Sequence, residues 1–242
     1  MNPIIEVENL TAKYGETTVL KDVNVQIFPN QITVILGKSG CGKTTLLKNI
    51  IRLYQPHSGR IKIFDQDVTF MEEKEFNQIL RKIGVLFQNG ALLNSLTVGE
   101  NVSIPIEQHT KLHPSLIHRV VRGKLGLVEL EHAIGMYPSE LSGGMKKRAA
   151  LARSIAMDPQ ILFGDEPSAG LDPITASALD RLLFKLRDHL DMTMVIVSHE
   201  LASIQRIAER IIFMDDGKIL FQGKLEDAKK EENPAMQKFF NP

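Results

Sequence analysis

The chain has 242 residues, with 29 Lys+Arg set against 29 Asp+Glu and a net charge of zero. That balance counts against a protein that holds nucleic acid by neutralising phosphates, and 43% apolar with 24% charged residues is the make-up of a folded chain. One cysteine, Cys41, excludes an internal disulfide and a cysteine-based zinc site, and fits a reducing compartment. The longest uncharged stretch, the 17 residues 83–99, contains Gln88, Asn89 and Asn94, so no membrane-spanning helix is expected. Residues 1–8 carry two acids and no apolar run, so no secretory signal is expected either.

Taken in chain order, period-two patterns predict strands at 4–10 and 23–28. A short apolar run at 32–36 stops at glycine, as a buried central strand does. Residues 43–53 read as a helix with Leu46, Leu47 and Ile50 on one face. Strands follow at 61–64 and 83–87, and helices at 114–125 and 142–157. The segment 114–125 reads equally as plain helical core and as a docking face. A strand at 161–163, a helix at 176–190 and a β-branched strand at 193–197 complete the alternation. Asp216-Gly217 between two apolar runs marks a hairpin turn, and 227–232 reads as a solvated helix or linker. Strand and helix alternate before residue 65 and after 160, whereas 98–158 is mainly helical, so an α/β core with an inserted helical subdomain is expected.

The strand at 32–36 runs into Gly37-Lys38-Ser39-Gly40-Cys41-Gly42-Lys43-Thr44, and a helix follows. This is the spacing of a phosphate loop. Its glycines permit backbone turns that side chains forbid, and successive N–H groups then face one concavity. The helix start adds its positive end. Lys43 is placed to bridge β- and γ-phosphates, and the Thr44 hydroxyl to ligate Mg²⁺. The plainer alternative is a glycine-rich turn with an exposed lysine. Lys38 either adds charge or is simply solvated, and Cys41 raises the question of a redox switch at an electropositive helix start. Asp165-Glu166 closes the strand at 161–163, where a metal partner (Asp165) and a residue activating water (Glu166) are expected. Leu141-Ser142-Gly143-Gly144-Met145 opens another helix on a glycine pair, a second phosphate cradle by the same argument. One phosphate loop with two cradles suggests a head-to-tail dimer, each chain closing the other's nucleotide.

These motifs occur in a particular order: the phosphate loop at 37–44, Gln88 after a strand, Leu-Ser-Gly-Gly at 141–144, Asp165-Glu166, Ser168-Ala169-Gly170-Leu171-Asp172, and Ser198-His199. In that order the sequence resembles the ATP-binding subunits of ABC transporters, over residues 4 to about 225. The resemblance implies an ABC-type ATPase core of the phosphate-loop class, with a mixed central sheet flanked by helices, an inserted helical subdomain and a small N-terminal antiparallel β region. The core covers 1–90 and 159–225, the helical subdomain 91–158 and a tail 226–242, all within one nucleotide-binding domain.

It implies a site for ATP at Tyr14, which stacks on adenine, at residues Gly37 to Thr44 with Thr45, and at Gln88 and His199, with Ser142, Gly143 and Gly144 supplied by a second copy. Thr44, Gln88 and Asp165 are the implied Mg²⁺ residues, Glu166 the catalytic base, Lys43 and His199 the γ-phosphate contacts, and Asp172 a residue of the dimer seam. The implied partners are a second copy and an integral-membrane permease. Gln88-Asn89-Gly90-Ala91-Leu92, Glu107-Gln108-His109-Thr110 and Met145 are similar to the ATPases of bacterial intermembrane phospholipid transport, the maintenance-of-lipid-asymmetry type. That narrower likeness implies a periplasmic lipid-binding subunit, a small cytoplasmic accessory subunit and a peripheral place on the cytoplasmic face of the inner membrane. Rival expectations are an importer for an amino acid or metal, a soluble ABC protein of DNA repair or translation, and a kinase built on an unrelated phosphate loop. Gly164 inside a strand, and Met145 where the family mostly carries glutamine, depart from the pattern.

Overall fold

The structure, a computed structural model, describes residues 2–240. The chain divides into two compact units, Met1–Leu80 with Thr193–Pro242, and Arg81–Met192. The first unit opens with β1 (Ile5–Tyr14) and β2 (Thr17–Ile27), paired antiparallel. Both strands are longer than their alternation suggests. Asn9 takes a left-handed φ of 49° and the pairing shifts register between Val7 and Leu10, so a bulge interrupts the period and hides the continuation to Tyr14. Next come the fully buried β3 (Ile32–Gly37) and α1 (Lys43–Ile50). The helix stops short of residue 53 because Arg52, at φ 55°, turns the chain left-handed. β4 (Ser58–Ile63) and the short β5 (Gln66–Asp67) complete an antiparallel sheet ordered β2-β1-β4-β5. Helix α2 (Glu73–Leu80) buries only Phe76 and Ile79, too few apolar positions to register as a period in the sequence.

The second unit begins with β6 (Ile83–Leu86) and continues through α3 (Val98–His109), α4 (Pro114–Leu127) and α5 (Gly143–Ser154) to β7 (Ile161–Asp165) and α6 (Pro173–Leu190). β6 and β7 pair in parallel, Leu86 opposite Gly164. Helix α3 starts on a reciprocal Thr97–Glu100 capping box. Ser142 caps α5 rather than lying inside it, and Asp172 caps α6, whose helix begins at Pro173 instead of 176.

The chain returns to the first unit with β8 (Thr193–Val197), α7 (Leu201–Ile207), β9 (Arg210–Asp215), β10 (Lys218–Lys224), α8 (Leu225–Ala228) and α9 (Pro234–Phe240). Here β3 lies between β8 and β9, parallel to both, and β10 runs antiparallel to β9. The β9–β10 turn is Asp216-Gly217, both at positive φ, as the sequence implied. Residues 227–232 are exposed apart from Ala228, in keeping with a solvated segment, and beyond them Met236 of α9 is buried and Phe239 packs edge-on against Phe213 of β9 at 5.6 Å. The architecture is α/β, with parallel and antiparallel pairing and helices alternating along the chain.

Candidate functional site

In the first unit the phosphate loop leaves the carboxyl end of β3, the end where ligands bind in open parallel sheets. Gly37, Gly40 and Gly42 have φ of 147°, 79° and 106°, which only glycine takes without strain. Gly37 is also sterically required, since a Cβ there would lie 2.1 Å from the Met214 carbonyl oxygen. Gly42 caps α1 without any side-chain hydrogen bond, so no side chain occupies the helix start. Lys43 is 7% exposed, and its ammonium donates to the carbonyls of Gly37 and Lys38, each at 2.9 Å. No acid pairs with it among the described residues. An ammonium held by two of its own loop's carbonyls has a third N–H to offer an anion. Ser39 is exposed, and Lys38 lies 3.8 Å from Asp215 at the surface. Thr44 and Thr45 sit half-buried in the first turn of α1.

Burial pushes the Cys41 thiol up from its ordinary value, against the pull of the Lys43 ammonium. A thiol kept protonated and covered is a poor nucleophile, so a redox switch at Cys41 finds no support in these surroundings.

Tyr14 ends β1 with its ring exposed and meets Tyr54 edge-on, centroids 5.3 Å apart. Lys48, in the last turn of α1, lies 5.5 Å from the Tyr54 centroid. Tyr54 thus ties Tyr14 to the phosphate-binding helix, a link that the 40-residue gap in sequence conceals. His199 is exposed two residues beyond β8; the Ser198 N–H donates to the Ile35 carbonyl at 3.1 Å, so His199 leaves the sheet at the same end as the phosphate loop.

The remaining site residues lie in the second unit. Asp165 is the last residue of β7, and Glu166 takes a left-handed φ of 50°. That conformation costs a non-glycine residue about 1 kcal/mol, the kind of strain found where a side chain must be aimed. Gln88 is exposed just past β6, and its carbonyl accepts a hydrogen bond from the Lys147 ammonium. The Ser142 hydroxyl caps α5 by accepting from the Met145 N–H at 3.3 Å. A Cβ on Gly144 would stand 2.6 Å from Thr175 Cγ2, whereas one on Gly143 would meet nothing closer than Leu171 at 3.5 Å. Asp172 accepts from the N–H groups of Ile174 and Thr175 at 3.0 and 3.1 Å. The hydrogen bonds from Thr175 hold its carboxyl below the usual aspartate value.

Sequence reading missed Tyr54, which meets Tyr14, and Lys147 and Arg153, which bond the loop after β6, and it took Gly217 only as a hairpin residue, whereas its N–H donates to the Cys41 carbonyl. Among the described residues no cluster of three or more His, Cys, Asp or Glu side chains is arranged to hold a metal ion by itself, and no helix is long and apolar enough to cross a membrane.

A glycine-cornered loop, a buried lysine bonded to that loop's own carbonyls and a helix start without a side-chain cap define a phosphate-loop nucleotide-binding protein. Comparison with known proteins places it within that class. The family described as ABC transporter matches residues 20–169. The intermembrane phospholipid transport system ATP-binding protein MlaF of Haemophilus influenzae is 39% identical over 236 residues, covering 98% of this chain and 89% of that protein. The probable ribonucleotide transport ATP-binding protein Mkl of Mycobacterium leprae is 36% identical over 241 residues, covering 100% of this chain and 70% of that one. A solved dimeric ATP-binding cassette, in a post-hydrolysis state with ADP and Pi, superposes with a TM-score of 0.83 at 33% identity, covering 91% of this chain and 98% of that one. The chain belongs to the ABC transporter family and is an ATP-binding, ATP-hydrolysing subunit.

Proposed function

We propose that this ATPase powers the movement of phospholipid between two membranes, as a homodimer seated on a separate permease at the cytoplasmic face of an inner membrane. The observation that carries the cargo is the 39% identity to the Haemophilus influenzae relative along 98% of the chain. The dimeric cassette with ADP and Pi supports the pairing of two copies. A periplasmic lipid-binding subunit and a small cytoplasmic accessory subunit belong to the same reading.

In this reading the amides of residues 37–45 cradle the triphosphate, Lys43 holds its terminal oxygens, Tyr14 stacks on adenine and His199 contacts the γ-phosphate. The loop fits that ligand because its buried cation lacks a carboxylate and its helix start lacks a side-chain cap. Thr44, Gln88 and Asp165 are the residues that the family resemblance assigns to Mg²⁺. All three offer oxygen, the donor Mg²⁺ selects. When bound, the ion neutralises phosphate charge. Glu166 orients and deprotonates the attacking water. Ser142, Gly143 and Gly144 meet the partner copy's nucleotide, and Asp172 lies at the seam.

Purifying the native complex from membranes and analysing its co-extracted small molecules tests the cargo. Stoichiometric phospholipid with membrane subunits is expected; a polar solute in its place overturns the lipid reading and favours solute transport, the alternative that the ribonucleotide transport relative keeps open.

A further inference from the structure

Helix α5, which starts at Ser142, also grips the loop that carries Gln88. The buried Lys147 ammonium donates to the Gln88 carbonyl. Further along, the Arg153 guanidinium divides its fork between the carbonyls of Gly90 and Ala91, each at 2.8 Å. Between the two cations Ala150 lies against Gly90, where a Cβ would stand only 3.1 Å from the alanine's own. Residues 147, 150 and 153 follow one another at intervals of three and so share a helix face. The loop backbone is shaped to meet them: Gly90 and Ala91 are consecutive left-handed residues, φ 71° and 50°. For an alanine that conformation costs roughly 1 kcal/mol, and the guanidinium receives both carbonyls in return. Beneath the loop, β6 and the end of α5 nearly touch, since a Cβ on Gly84 would lie 2.2 Å from the Ser154 carbonyl oxygen.

The far end of the loop is fixed separately. Fully buried Asn101 of α3 accepts from the Leu93 N–H at 2.8 Å and donates to the carbonyls of Leu93, Leu96 and Thr97. The Arg153 guanidinium is half-buried and bonded to carbonyls alone. Lifting the loop off α5 would strip both carbonyl partners from that half-buried charge, and a hydrogen bond to a charged group is worth more than one between neutral groups.

We propose that Arg153, with Lys147, is a positioning residue that locks the Gln88 loop to α5, so that displacement of Ser142 at one end of the helix displaces Gln88 with it. This rests on the roles given above to Gln88 and Ser142. The test uses the full chain, with three measurements: ATP turnover, binding of a methylanthraniloyl-labelled ATP, and amide hydrogen exchange. Arg153→Lys keeps the charge and loses the fork. Turnover should fall about tenfold, as for one charge-assisted bond, with nucleotide affinity within about twofold. Exchange should rise about tenfold or more at 88–93 and not in α1. In a Gln88→Ala background the same substitution should cost less than about twofold further, because coupled residues are not additive. If Arg153→Lys fails to fold, Lys147→Met carries the same cycle. Multiplicative effects on turnover, or unchanged exchange at 88–93, overturn the lock alone. Normal turnover in Gln88→Ala overturns the role of Gln88 and the lock together.

Discussion

The starts of α1 and α5 use one physical idea to two different extents. Each is a helix N-terminus opened by glycine, yet the glycines answer different needs. At α1 they supply backbone angles, up to φ 147° at Gly37. At α5 Gly144 supplies room, because Thr175 occupies the space a side chain would take. The first start encloses its own buried cation, Lys43, and leaves the helix end without a side-chain cap. The second spends a serine hydroxyl on capping, and its first three residues, Gly143, Gly144 and Met145, carry no charge. On the proposed reading, one is a whole anion site and the other a lid that needs a site brought to it.

If the start of α5 is a lid, ATP that is held but not hydrolysed must draw two chains together. Glu166→Gln should lower turnover by about 10²–10⁴-fold, the usual worth of a positioned base, and should elute as a dimer with Mg·ATP. A persistent monomer on sizing would contradict the lid. Lys43→Ala should weaken ATP by about 10–100-fold in calorimetry, as for a lost charged hydrogen bond. Unchanged affinity would show that α1 is no more complete than α5. Ser142→Arg should prevent pairing while the single chain still binds nucleotide within about twofold, since no bond of the phosphate loop involves residue 142. Equal loss of binding and pairing would blur the two roles.

The glycines separate the two starts by stability alone. Gly42→Ala meets both a forbidden φ and Leu20 Cδ2 at 2.8 Å, and should cost about 1–3 kcal/mol in urea unfolding. Gly144→Ala should cost about as much by overpacking against Thr175, whereas Gly143→Ala should be neutral or slightly stabilising, by about 0.5 kcal/mol. The smallest effect is acidic. Asp172 ionises more readily folded than unfolded, so its contribution is complete above the unfolded carboxylate value and fades as pH falls through the lower folded one. Asp172→Asn should flatten that part of the stability–pH curve.

Much of the fold and site was legible because it is local. Phosphate loop, strand ends and the turn at 216–217 are written in adjacent letters whose geometry glycine and aspartate dictate. Helices 73–80 and 201–207 escaped because so few of their positions are buried. Strand β1 was read only as far as residue 10, just past the bulge at Asn9 that breaks the period. Arg153 and Tyr54 escaped for another reason: their partners, Gly90, Ala91 and Tyr14, sit far off along the chain, and no period or motif spans such gaps.

The hairpin tip at Gly217 carries one more implication. Its N–H donates to the Cys41 carbonyl at 3.1 Å and its carbonyl accepts from Lys21 at 2.9 Å, while a Cβ there would lie 2.2 Å from the Val19 oxygen. The nucleotide motif is thus braced from behind by a turn residue 176 positions past Cys41. Transplanting the eight-letter segment into a foreign scaffold would leave that brace behind, and a screen for lost ATP affinity should recover substitutions at 217 that never come near the nucleotide.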